Sequence, residues 1–68
     1  MKTVHLSSRL ARNIRSRRGD ARQREFAKTL GVSQSTLNKI ENNNGNVKLD
    51  TLNTICKHLK CEIGDLFI

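Results

Sequence analysis

The chain has 68 residues, a formal net charge of +7 and an isoelectric point near 10.3. A chain this short forms one domain, buries only roughly 60% of the surface its unfolded form exposes, and has little room for a walled substrate pocket of ~300 Å³ or more. Leu, Ile, Val and Phe supply about a quarter of the residues, above the roughly 20% level below which a highly charged chain stays disordered, so the arithmetic describes a small, basic, folded binding module rather than an enzyme.

Alternation of apolar and polar residues, the mark of a strand, is nearly absent, and helical spacing recurs instead. The predicted fold is all-α, a compact bundle of four to five short helices. Residues 1–6 read as an N-terminal arm and 7–68 as the folded domain. Ser7 or Ser8 can cap a first helix that turns Leu10, Ala11 and Ile14 inward. It is expected to run to about Arg18, with Arg15, Arg17 and Arg18 in the last turn where the dipole favours cations, and to stop at Gly19. Asp20-Ala21-Arg22-Gln23 has the spacing of a capping box. A second helix then carries Phe26, Ala27 and Leu30 inward and ends at Gly31. Ser33 caps a third, which Leu37 and Ile40 anchor, and which closes in the turn signal Glu41-Asn42-Asn43-Asn44-Gly45. A fourth helix from about Leu49 is expected to bury Leu49, Leu52, Ile55, Cys56 and Leu59, and Ile63 to Phe67 to form a short turn that lids the core.

All seven arginines fall between Arg9 and Arg24 (Arg9, Arg12, Arg15, Arg17, Arg18, Arg22, Arg24), opposed there only by Asp20 and Glu25. Such a stretch attracts a polyanion, either nucleic acid or an anionic membrane surface, unless it is simply a solvated face. The membrane reading lacks large apolar anchors, since the stretch offers only Leu10, Ala11 and Ile14. No apolar run approaches a membrane span or the core of a signal peptide. Cys56 and Cys61 with His58 fall short of a four-ligand zinc site, and His5 would have to arrive from the other end of the chain. Cys56 reads as a small buried hydrophobe and Cys61 as a half-buried loop residue, in keeping with a reducing cytoplasm.

The block from Gln23 to Asn42 carries the functional signal. Two short helices are joined by Gly31-Val32-Ser33, with apolar residues at Phe26, Ala27, Leu30, Val32, Leu37 and Ile40. Ala27 is small enough for a close helix crossing, Gly31 permits the positive φ of a sharp turn, and Val32 plugs its inside. This is the spacing of a helix-turn-helix, which presents its second helix to the DNA major groove; the plainer alternative is a two-helix hairpin of an unrelated bundle. With Leu37 and Ile40 inward, Ser35, Lys39 and Asn42 share the opposite face, flanked by Gln34 and Asn38. Gln or Asn can pair with adenine and Lys can reach guanine. An ordinary solvated face would more often mix Glu with Lys, whereas Glu41 lies towards the inside edge.

Through Ile14-Arg15, Gln23, Phe26-Ala27, Leu30-Gly31-Val32-Ser33, Leu37, Ile40-Glu41-Asn42, Leu52, Leu59 and Leu66-Phe67, the chain resembles the lambda-repressor-like helix-turn-helix domains, the Cro/repressor or xenobiotic-response-element family of bacterial and phage regulators. The likeness spans about residues 7–67. It implies a five-helix domain that binds operator DNA, usually as a dimer, with base contacts from Gln34, Ser35, Thr36 and Lys39; Asn38 joins them by its place beside that face. It implies phosphate contacts from Gln23, from Ser33 and from the Asn43–Lys48 loop, among them Asn43, Asn46 and Lys48, with Asn42 alongside. For Gln23 this competes with capping the second helix. It also implies a partly buried ion pair between Arg15 and Glu41, against which Arg15 could be one more phosphate-facing cation. Arg22, Arg24 and Lys48 stand at helix starts, where cations oppose the dipole, each costing about 0.3–1 kcal/mol when exposed. Phosphates facing those starts would offset that cost, the alternative being random drift at a tolerant surface, and Arg22 and Lys48 depart from the family's usual Ser or Thr. The Gly19–Arg22 loop is one residue longer than the family's, and Lys60 stands where the family often has Gly.

The resulting expectation is a sequence-specific, double-stranded DNA-binding transcriptional regulator in the cytoplasm, a repressor acting as a homodimer on a palindromic operator. The alternative is an antitoxin or adaptor that uses the same fold to hold a partner protein. Leu66, Phe67 and Ile68 are candidates for the dimer surface or for packing onto the domain's own core. No membrane, small-molecule ligand, metal or cofactor is expected, and no separate ligand or dimerisation domain. No nucleophile–base pair, carboxylate pair or Gly-rich phosphate loop marks catalysis.

Overall fold

Helices form here where apolar residues recur at i, i+3 and i+4, and three of them stop directly at a residue of positive φ, Gly19, Gly31 or Lys60. The computed structural model describes residues 6–43 and 47–68; residues 1–5 of the expected 1–6 arm, with His5, and the turn residues Asn44, Gly45 and Asn46 lie outside them, while Leu6, the last residue of that arm, opens the first helix. Every element among the described residues is helical: α1 (Leu6–Arg18), α2 (Gln23–Leu30), α3 (Gln34–Glu41), α4 (Leu49–Leu59) and a closing 3-10 helix (Ile63–Phe67). The all-α prediction holds, and no described helix is long and apolar enough to cross a membrane.

Helix α1 begins at Leu6, so Ser7 and Ser8 lie inside its first turn rather than capping it. Its end is as expected: Gly19 takes φ 56° and its N–H reaches the Arg15 carbonyl at 3.1 Å. The capping box at Asp20 does not form. Arg22 is the residue at the cap of α2, with no side-chain hydrogen bond to the helix. Asp20 therefore sits two positions too early to reach the first free N–H groups, and Gln23 falls at the first helical position rather than the third. Gly31 ends α2 at φ 76°, and its N–H meets the Lys28 carbonyl at 3.1 Å. Ser33 caps α3, its hydroxyl oxygen accepting from the Thr36 N–H at 3.1 Å.

The core gathers Leu10 and Ile14 of α1, Phe26, Ala27 and Leu30 of α2, Leu37 and Ile40 of α3, Leu52 and Ile55 of α4, and Leu66 of the closing turn. Val32, Cys56, Leu59, Cys61 and Phe67 are packed against it, partly buried. Helix α1 lies against α3 and the 3-10 helix, while α2 lies against α3 and α4. One expectation is corrected and one alternative is decided. Leu49 is 73% exposed, because at the first residue of α4 it has neighbours on one side only, and the buried face starts a turn later at Leu52. Leu66 is fully buried, so it belongs to this chain's core and not to a dimer surface; Ile68 stays exposed. Asn13 of α1 donates from Nδ2 to the Asp65 carbonyl at 2.9 Å and so ties the two ends of the fold together.

Candidate nucleic-acid interface

The turn between α2 and α3 sets how far α3 stands out from the body. Val32 donates its N–H to the Ala27 carbonyl at 3.0 Å, closing the turn, and Ala27 is almost wholly buried at the crossing. A Cβ at Gly31 would come within 2.4 Å of the His58 ring. Glycine is thus favoured twice, for its positive φ and for the space that the exposed imidazole would otherwise have to leave. That ring is held by its Nδ1, which donates to the Thr54 carbonyl at 2.9 Å.

With Leu37 and Ile40 buried, α3 leaves Gln34, Ser35, Asn38 and Lys39 exposed and Thr36 half-buried. Gln34, Ser35 and Lys39 make no side-chain hydrogen bond among the described residues. The Ser33 hydroxyl is used up locally: it accepts from the Thr36 N–H and donates to Thr36 Oγ1 at 2.9 Å. The free hydroxyl protons at the start of α3 are therefore those of Ser35 and Thr36. Arg22, Gln23, Arg24, Glu25 and Gln34 line one open cleft of about 290 Å³ where α2 and α3 begin. Cations expected at phosphates and a residue expected at bases are thus brought together there, with Glu25 as the acidic member. Lys48 is exposed at the start of α4 and Asn42 at the end of α3. Asn43, at φ 58°, spends one N–H on Ser8 Oγ at 3.1 Å. Asn46 lies outside the described residues.

The internal ion pair is not the expected one. Glu41, 4% exposed, pairs with Arg18 at 2.6 Å, and Arg15 is exposed. The reason is the helical repeat: Leu10, Ile14 and Arg18 stand at i, i+4 and i+8 on the inner side of α1, and Arg15 lies off that line. That spacing was the signal available in the sequence. Arg18 also donates from Nη1 to the Ala21 carbonyl at 3.0 Å, which braces the loop into α2. The other Glu41 oxygen accepts from Gln23 Nε2 at 3.2 Å. Gln23 therefore neither caps α2 nor turns its N–H groups outward; it links α2 to the far end of α3.

At the opposite end, Cys56 and Cys61 are free thiols, and burial, with the neighbouring Cys61 adding to it, pushes the Cys56 thiol above its ordinary range. No three His, Cys, Asp or Glu side chains gather to hold a metal ion among the described residues. No curated protein and no solved structure matches the chain. A family model described as the Cro/C1-type HTH DNA-binding domain matches residues 9–68. The exposed polar face of α3, the glycine-containing turn that projects it and this match agree: the chain belongs to the Cro/C1-type helix-turn-helix DNA-binding family.

Proposed function

We propose that this DNA-binding protein is a sequence-specific transcriptional repressor that occupies a palindromic operator as a homodimer, with α3 in the major groove. The observation that carries the reading is the division of α3. Leu37 and Ile40 are buried at 0% and 3% exposure, its one acidic residue Glu41 is buried with them, and Gln34, Ser35, Asn38 and Lys39 face solvent. Those four, with Thr36, are the base-reading set. Arg22, Arg24 and Lys48 meet phosphates by charge, Asn42 and Asn43 through their remaining N–H groups, and Ser33 through the start of α3 rather than its hydroxyl. On this reading the protein works in the cytoplasm, without catalysis or cofactor, and its two copies read half-sites about 10–10.5 base pairs apart.

Binding-site selection from random duplex DNA at two salt concentrations tests this. A palindromic consensus is expected, with log affinity falling against log salt by about 0.9 per phosphate contacted. Equal enrichment of all sequences would overturn specific recognition, and a consensus without two-fold symmetry would overturn the dimer.

A further inference from the structure

The polarity of the amides beside the recognition face is set from inside the fold. The carboxylate of Glu41 only accepts. Its Oε2 takes the Arg18 Nε–H at 2.6 Å, and its Oε1 takes Gln23 Nε2 at 3.2 Å. The Gln23 amide is thereby oriented with its nitrogen inward. The same nitrogen lies 3.5 Å from Asn38 Oδ1, and Asn42 Nδ2 donates to that oxygen at 2.8 Å. Both lone pairs of the Asn38 oxygen are engaged, the stronger by Asn42, and the exposed side chain is left with its two N–H donors.

Asparagine usually reads adenine in a bidentate manner, accepting from N6 and donating to N7. For Asn38 to accept at the groove its amide must turn over, alone with loss of the 2.8 Å bond or together with Asn42, and either way its nitrogen is set against Gln23 Nε2, whose direction Glu41 fixes. Guanine offers two acceptors, O6 and N7, and no donor at that edge. We propose that Asn38 is a specificity-determining residue that reads the major groove as a donor only, selecting guanine and rejecting adenine. Gln23, Glu41 and Asn42 are its positioning residues. The inference rests on the proposed function, since it assigns the base read by a helix taken to lie in the groove.

Selection from random DNA is run in parallel with the wild-type chain, Asn38→Ala and Asn42→Ala. The position at which Asn38→Ala loses its preference identifies the base contacted. There the wild type is expected to favour guanine over adenine by about tenfold. In Asn42→Ala the freed oxygen lets the amide turn over, and the ratio is expected to fall to about twofold or less while other positions keep their preferences. Losing a phosphate contact, or loosening the fold, lowers affinity for all sequences alike and leaves that ratio unmoved. Adenine preferred by the wild type at that position overturns the proposal. So does an unchanged ratio in Asn42→Ala, or an Asn38→Ala variant that loses preference nowhere. A wild-type selection with no consensus at all overturns the proposed function, and this inference with it.

Discussion

Glu41 is held by two donors from different helices, and a buried carboxylate is costly to strip of either. Breaking a buried pair costs about 3–5 kcal/mol; Arg18 keeps 27% of its side chain exposed, so Arg18→Ala is expected to cost about 2–3 kcal/mol. At ~4–8 °C per kcal/mol for a domain of this size, the melting temperature falls by about 10–20 °C. Arg15→Ala, at an exposed position, is expected to stay within about 0.5 kcal/mol. Thermal denaturation followed by circular dichroism checks both, and equal losses would reverse the assignment of the pair. The burial of Glu41 was legible in its place beside Ile40. Its partner was legible only in the line from Leu10 through Ile14 to Arg18, a cue that the resemblance to known domains overrode.

Turns and caps carry the same lesson for whole elements. Gly19, Gly31 and Ser33 could be read in advance because each has a local physical role, a positive φ or a hydroxyl for free N–H groups. The Asp20 box failed because a four-residue spacing says nothing about which residue the helix starts on. The closing 3-10 helix does use such a spacing: the Glu62 N–H donates to Asp65 Oδ2 at 3.0 Å, a pattern that the sequence carries in Glu62 and Asp65. Gly31→Ala is expected to cost about 2 kcal/mol, part from the left-handed backbone and part from displacing the His58 ring off Thr54. The second part should vanish in a His58→Ala background, which a double-mutant thermal series would show. Lys60, by contrast, takes φ 55° at the end of α4, so the turn there is kept without glycine. Lys60→Gly is expected to stabilise the chain by ~0.5–1 kcal/mol, the relief of a side chain in that region less glycine's greater freedom when unfolded; urea denaturation measures it, and a loss would contradict it.

At the scale of the molecule, the net charge of +7 divides by position. Arg18 is neutralised by Glu41; Arg9, Arg12, Arg15 and Arg17 stand exposed on α1, and Arg22, Arg24 and Lys48 at the starts of α2 and α4. Those last three oppose the dipoles of their own helices, a placement that makes sense if phosphates face them. Reversing the charge of Arg22 and Lys48 together is expected to lower the salt dependence of DNA binding by about two phosphate equivalents, ~1.8 in slope. An unchanged slope, from titrations at several salt concentrations, would remove both from the contact set. The fold class and the polar face of α3 were readable from apolar spacing alone. The amide network was not, because hydrogen-bond polarity depends on which side chains meet across helices.

That network also bears on how such a protein can diverge. Gln34, Ser35 and Lys39 make no internal side-chain bond among the described residues, so under the proposed function they can be exchanged freely and would carry the operator preference to new sequences at little cost to folding. Asn38 is bound into the structure that holds the helix in place. Drift in target choice should therefore proceed around a single slow position, leaving descendants that differ in most of the bases they read yet share one.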